Sequence, residues 1–180
     1  MEKILLQTKK WLLDVVIGCN FCPFAHKEFK NDTIKYAIDN SENELLQLEF
    51  LQNECEFLDS NPSTETTLII YPTQYKRFQD FLDWIDKSND LIEELGYYGT
   101  YQLATFHPDY CFEGESPEDA SNYTNRSIYP MLHLLREKTI LDIALKQEAY
   151  LESIPTRNIT YALAKGTPYM KMLREACMDV

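Results

Sequence analysis

An α/β or α+β fold is predicted: a small sheet of three to four strands, helices packed on it, and helices at both ends. Three observations predict it. Apolar residues recur at helical spacing in several separate stretches. Short alternating or β-branched runs stand between those stretches. No repeat, low-complexity tract or linker-like segment interrupts the order. At 180 residues the chain is expected to form a single domain, 1–180, large enough to bury its own core.

From the N-terminus, Ile4, Leu5, Trp11, Leu12, Val15 and Val16 share one side of a helix that Gly18 ends. Ile34, Tyr36 and Ile38 alternate with polar residues as a half-exposed strand. Ser41 and Glu44 have capping-box spacing, and behind them Leu45, Leu48, Leu51, Cys55 and Leu58 follow a helical period up to Asn61-Pro62. The run TTLIIY (66–71) is apolar on both faces and reads as a buried central strand. Tyr75 to Leu95 forms a second long helix, closed by Gly96.

Tyr101, Leu103, Thr105 and His107 then mark one face of a third strand. A polar segment follows from Cys111 to Tyr129. Pro130 opens a helix expected to run to about Leu151. A turn is expected over Ser153–Asn158, a strand or helical turn over Ile159–Ala164, and a terminal helix from Thr167-Pro168. Helical connections between strands favour parallel neighbours, but a split, ferredoxin-like sheet uses the same element order, and both stay open.

Charge removes several functions. With 17 Lys+Arg against 29 Asp+Glu, the net charge of −12 opposes binding to nucleic acid and to anionic membrane surfaces. No apolar stretch reaches the ~20 residues that span a bilayer, and the charged amphipathic start is unlike a secretory signal. An acidic, soluble, cytoplasmic protein with reduced thiols is expected, in which the sequons at Asn31, Asn122, Asn125 and Asn158 carry no glycan.

The long polar segment is the leading candidate site. Loops of that length are commonly functional, and this one leaves a strand end, where open sheets place ligands. His107 and Asp109 lie two apart; His133 and Glu137 lie four apart on the expected helix. In the first reading the chain is an enzyme acting on a small polar, anionic molecule. His107 is its acid/base, Asp109 orients His107, and Cys22 is a thiol participant. Asn122, Asn125, Arg126 and Arg136 clamp the substrate.

In a second reading His107, Asp109, His133 and Glu137 hold a divalent metal for hydrolysis or oxidation. In a third the chain is a non-catalytic ligand-sensing or protein-interaction domain whose polar loop is a satisfied network. No cofactor is indicated, and the oligomeric state is open. Cys19 and Cys22 have C-x-x-C spacing after a helix. That spacing fits a redox or nucleophilic Cys22, half a zinc site completed by His26, or buried thiols between Phe21 and Phe24.

Four stretches, GCNFCPFA (18–25), LATFHPDYCFEG (103–114), DASNYTNRSIYPMLHLLRE (119–137) and IPTRNI (154–159), together resemble a bacterial domain-of-unknown-function family, number 1415, over nearly the whole chain. The resemblance implies a compact cytosolic protein. It draws attention to Cys22, His107, Asp109, Asn122, Asn125, Arg126, His133, Arg136 and Glu137. It implies no activity, cofactor or partner. The family pattern more often has leucine where Cys19 stands and proline where Ile128 stands, so it implies no disulfide mechanism.

Overall fold

The structure, a computed structural model, describes residues 1–180. Helix α1 (Glu2–Trp11) runs into a π-helical turn (Leu12–Ile17), and α2 (Ala25–Lys30) leads to β1 (Ile34–Ile38). Then come α3 (Glu44–Ser60), β2 (Thr66–Ile70), α4 (Phe78–Glu94) and β3 (Tyr101–Phe106). After a 3-10 turn at Ala120–Thr124 the chain forms β4 (Met131–Arg136), α5 (Glu137–Lys165) and α6 (Thr167–Glu175). The fold is α+β, and none of its helices is long and apolar enough to cross a membrane.

The sheet is mixed, in the order β1-β2-β4-β3. β1 pairs with β2 in parallel across the α3 crossover, while β4 lies antiparallel between β2 and β3. The sheet thus combines both arrangements left open by the sequence, and β1, β2 and β3 all point the same way.

Helices cover both faces, which is why β2 carries apolar or small side chains throughout and is buried at every position. On one face Leu68 and Ile70 meet Trp11, Val15 and Val16 of the N-terminal helix, with Ala162 and Met170 from the C-terminal helices. On the other, Ile69 and Tyr71 meet Leu51, Cys55 and Leu58 of α3 and Phe81 and Trp84 of α4. Gly18 is required where the π-helical turn closes: a Cβ there would stand 2.2 Å from the Asp14 carbonyl oxygen. Gly96 ends α4 in the left-handed conformation, φ +76°.

Several sequence expectations are corrected. The second long helix begins at Phe78, leaving Tyr75 in the turn before it, and β1 has no exposed face, Ala37 being buried like Ile34. The segment after Pro130 is strand β4, followed directly by a helix. In MLHLLR the apolar residues face both helix layers, so the alternation that marks a half-exposed strand is absent. Ser41 does not cap α3; Asn43 does, its Oδ1 accepting from the Leu46 N–H at 3.0 Å. The expected turn at Ser153–Asn158 lies inside α5, and Ile159–Ala164 is helical too. The break in α5 falls earlier, at Gln147 (φ −148°, ψ 42°).

Candidate functional site

Because β1, β2 and β3 run in the same direction, their C-terminal ends share one edge of the sheet. The first residue beyond each strand is polar and buried: Asp39 after β1, Tyr71 after β2 and His107 after β3. Backbone bonds fix the first two, with the Asp39 N–H donating to the Ile70 carbonyl (3.0 Å) and the Tyr71 N–H to that of Pro130 (3.0 Å).

The turn between β2 and α4 closes over this rim. Tyr75 has φ +52°, a left-handed conformation that a bulky aromatic residue adopts only under constraint. Its ring stacks on Trp84 (5.4 Å, 16°) and meets Tyr71 edge-on (5.2 Å). Its hydroxyl donates to Gln47 Oε1 at 2.5 Å. Gln74 Nε2 donates to the carbonyls of Asp39 (3.2 Å) and Ser41 (2.8 Å), and Gln47 Nε2 also reaches Ser41 (3.2 Å). Two glutamines and a tyrosine thereby tie the β1–α3 loop to the β2–α4 turn.

His107 completes the constraint. Its Nε2–H donates to the Tyr75 carbonyl at 2.8 Å, and Nδ1 accepts the Asp109 backbone N–H at 2.9 Å, an arrangement that fixes one neutral tautomer. The ring packs between Phe78 (5.2 Å) and Phe81 (5.3 Å), and burial pushes its pKa below the usual 6.5. Asp109 orients the ring through its amide, not its carboxylate, and its side chain is exposed.

Three polar atoms at the rim are buried without a hydrogen-bond partner of good geometry: Asp39 Oδ2, Tyr71 OH and Trp84 Nε1, the last two approaching each other. Burial, with the negative charge of Asp39 (and, for Tyr75, of Glu44) adding to it, holds both the Tyr71 and the Tyr75 hydroxyl well above the usual phenol range, so both stay protonated at neutral pH.

The residues expected to clamp a substrate make other contacts. Asn122, fully buried, accepts the Phe112 N–H (2.9 Å) and donates to the Ser116 carbonyl (2.8 Å). Asn125 donates to the Thr105 carbonyl (3.5 Å), and its own carbonyl accepts the His107 N–H (3.3 Å). Arg126 donates to the carbonyls of Tyr110 (2.9 Å) and Pro117 (2.7 Å) and lies over the Tyr123 ring (4.9 Å). Asn122 and Arg126 hold the polar segment in its fold, and Asn125 ties it to the end of β3.

Arg136 is not in that group. It lies at the opposite edge of the sheet, donating to the carbonyls of Leu58 (2.6 Å) and Thr64 (3.1 Å). Its Nε and Nη2 donors are committed to backbone carbonyls and its Nη1 reaches the Tyr101 hydroxyl (3.4 Å), so it is not placed to clamp a ligand with the polar loop.

The alternative metal set is split by the sheet. His107 meets Phe78 and Phe81 on the α3–α4 face, whereas His133 lies on the other face, against Phe106 (6.3 Å). Glu137 begins α5 at the far end of β4. No group of three or more His, Cys, Asp or Glu side chains is placed to hold a metal ion.

Every cysteine is a free thiol. Cys19 is buried, and desolvation raises its pKa, opposed by a hydrogen bond from Tyr161; Cys22 is half-buried. The stretches around them are held from α5, where Arg157 donates to the Asn20 carbonyl and Asn158 to that of Phe21 (2.7 Å). A surface hollow of about 690 Å³ runs along this part of α5, lined by Arg157, Thr160 and Tyr161 among others, and is separate from the rim. Of the nine buried side-chain polar atoms without a hydrogen-bond partner, three (Asp39 Oδ2, Tyr71 OH and Trp84 Nε1) gather at the strand ends, and the others are scattered.

Sequence reasoning located His107 and the loop beyond it but missed Asp39, Tyr71, Tyr75, Gln47 and Trp84. The available signal was positional: a polar residue directly after each of three strands.

A family model described as "Protein of unknown function (DUF1415)" matches residues 3–172. No curated protein and no solved structure matches the chain.

Proposed function

The chain belongs to that family, whose description names no activity, and we propose from the geometry that it binds a small polar molecule at the strand rim and catalyses proton transfer on it. The observation that carries this reading is the set of partnerless buried groups, Asp39 Oδ2, Tyr71 OH and Trp84 Nε1, beneath the constrained turn at Tyr75. Buried polar atoms in folded proteins are nearly always satisfied, and those left over need a ligand, an ordered water or a chemical role to account for them.

In this reading the Asp39 carboxylate is the proton acceptor and the Tyr71 hydroxyl, held protonated, is the donor, while the Tyr75 hydroxyl stays committed to Gln47. His107 is a positioning residue: both ring nitrogens are engaged by backbone, and it acts by holding the Tyr75 carbonyl. Asn122, Asn125 and Arg126 shape the loop beside the rim instead of touching substrate. The substrate is therefore not selected by arginines, in contrast to the anionic molecule expected from the sequence.

The test is a thermal-shift screen of small polar metabolites against the wild type, Tyr71→Phe and Arg157→Ala. A compound that stabilises wild type and Arg157→Ala but not Tyr71→Phe supports the rim. A compound that loses its effect only in Arg157→Ala moves the site to the hollow along α5 and overturns this reading.

A further inference from the structure

We propose that the molecule bound at the rim presents a cationic nitrogen, an ammonium or guanidinium group, to the carboxylate of Asp39. The inference rests on the rim being a binding site and adds the charge class of its ligand.

The chain has two buried carboxylates, Asp39 (1% exposed) and Glu54 (6%), and treats them differently. Glu54 has the Lys35 ammonium at 2.8 Å. Asp39 belongs to no ion pair; its Oδ1 accepts one backbone N–H, from Ser41 at 2.7 Å, and its Oδ2 accepts none. A carboxylate removed from water without a counter-charge is among the costliest groups a fold can carry, and the fold supplies that counter-charge at the one comparable position.

The nearest basic residues in sequence on the closing turn, Lys76 and Arg77, are exposed, and Arg77 faces Asp80 at 3.8 Å. What surrounds Asp39 suits a cation. The Tyr71 hydroxyl oxygen, which the Trp84 N–H approaches, keeps a second lone pair for an incoming donor, and the rings of Tyr71, Tyr75 and Trp84 surround it with aromatic surface. The net charge of −12 raises the local concentration of cations and repels anions. The β2–α4 turn beside Asp39 is at the surface, with Thr73, Lys76 and Arg77 exposed.

The chain has two tryptophans, and only Trp84 adjoins the rim, so indole N–H resonances in a ¹⁵N–¹H spectrum report the site directly. Ethylammonium and methylguanidinium are titrated against acetate and acetamide at matched ionic strength. The expected result is a saturable shift of the Trp84 signal with the two cations alone, the Trp11 signal staying in place. Asp39→Asn is expected to weaken that response about tenfold or more, the loss of one charge-assisted hydrogen bond.

A Trp84 response to acetamide or acetate but to neither cation overturns the cation assignment and leaves the rim a binding site. Equal responses to the cations in wild type and in folded Asp39→Asn overturn the role of Asp39. Silence from all four probes overturns the cation assignment. A polar metabolite that still binds in the thermal-shift screen and is lost in Tyr71→Phe would keep the rim. If Asp39→Asn does not fold, the wild-type contrast between cations and acetamide still decides.

Discussion

The Nε2–H of His107 donates at 2.8 Å to the carbonyl of Tyr75, the aromatic residue held at φ +52°. A residue at the end of β3 thus pins the turn that follows β2. Replacing it opens a buried space and leaves the Asp109 amide and the Tyr75 carbonyl unpaired. His107→Ala is expected to lower stability by about 3 kcal/mol. The Trp84 emission should shift as well, because its stacking partner Tyr75 is released. Denaturant titration followed by fluorescence checks both, and an unchanged midpoint would remove His107 from this role.

His133 gives the fold a dependence on pH. Its Nε2 is enclosed and unpartnered although part of the residue reaches the surface, and burial pushes its pKa from 6.5 to about 4. The unfolded chain therefore binds more protons between those values. The stabilisation is complete above pH 6.5 and is lost as pH falls towards about 4; His107, also lowered by burial, adds in the same direction. The loss attributable to His133 is about 2–3 kcal/mol. Urea midpoints measured across that range should flatten in His133→Gln, and an identical slope in wild type and variant would exclude His133 as the cause.

Arg136 sews the α3–β2 connection to the end of β4 through the carbonyls of Leu58, Asn61 and Thr64. Arg136→Ala is expected to cost about 2–4 kcal/mol and Arg136→Lys nearly as much, since an ammonium cannot span three carbonyls set for a planar fork. Melting temperatures of the pair decide it, and a lysine variant close to wild type would show that charge alone suffices.

Asp32 stands exposed at φ +56° in the turn before β1, without the aromatic packing that holds Tyr75. Glycine meets no steric cost in that conformation, so Asp32→Gly is expected to stabilise by about 1 kcal/mol. A lower melting temperature than wild type would show that the aspartate makes a compensating contact.

The five thiols should divide by burial. Cys22 and Cys111 are half-exposed, whereas Cys19, Cys55 and Cys177 are buried and have raised pKa values, Cys55 reaching about 12. Brief alkylation of the native protein is expected to label the first two alone, read by peptide mass. Early labelling of Cys19 would mean that its segment opens readily.

Much of the fold was legible because its helices bury one side and leave a period behind, as from Leu48 to Leu58; β1 keeps an alternating pattern although Ala37, on its second face, is buried as well. β4 was not, because Leu132 and Leu134 face one helix layer while Met131 faces the other, which removes the alternation. Pro130 also reads equally well as a helix start. The site was half legible. His107 and its loop stood out by residue type, but the partners of Arg126, Arg136 and Asn122 are backbone groups, and a sequence shows no carbonyl. Asp39 and Tyr75 meet only through a turn and a glutamine that the topology brings together.

The place of β4 in the sheet sets an order of events. β1 and β2 can pair once both have been synthesised, but β3 has no hydrogen-bonded neighbour except β4, which is made last and sits second from the edge. A nascent chain that has not reached Met131 holds β3 unpaired, the inner edge of β2 open and much of its core uncovered, the condition in which edge-to-edge association competes with folding. The final quarter of the chain, bearing none of the rim's buried polar groups, is thus what joins β3 to the β1–β2 pair and turns a sticky precursor into one four-stranded sheet. Premature termination anywhere before it should yield aggregate, not a smaller working protein.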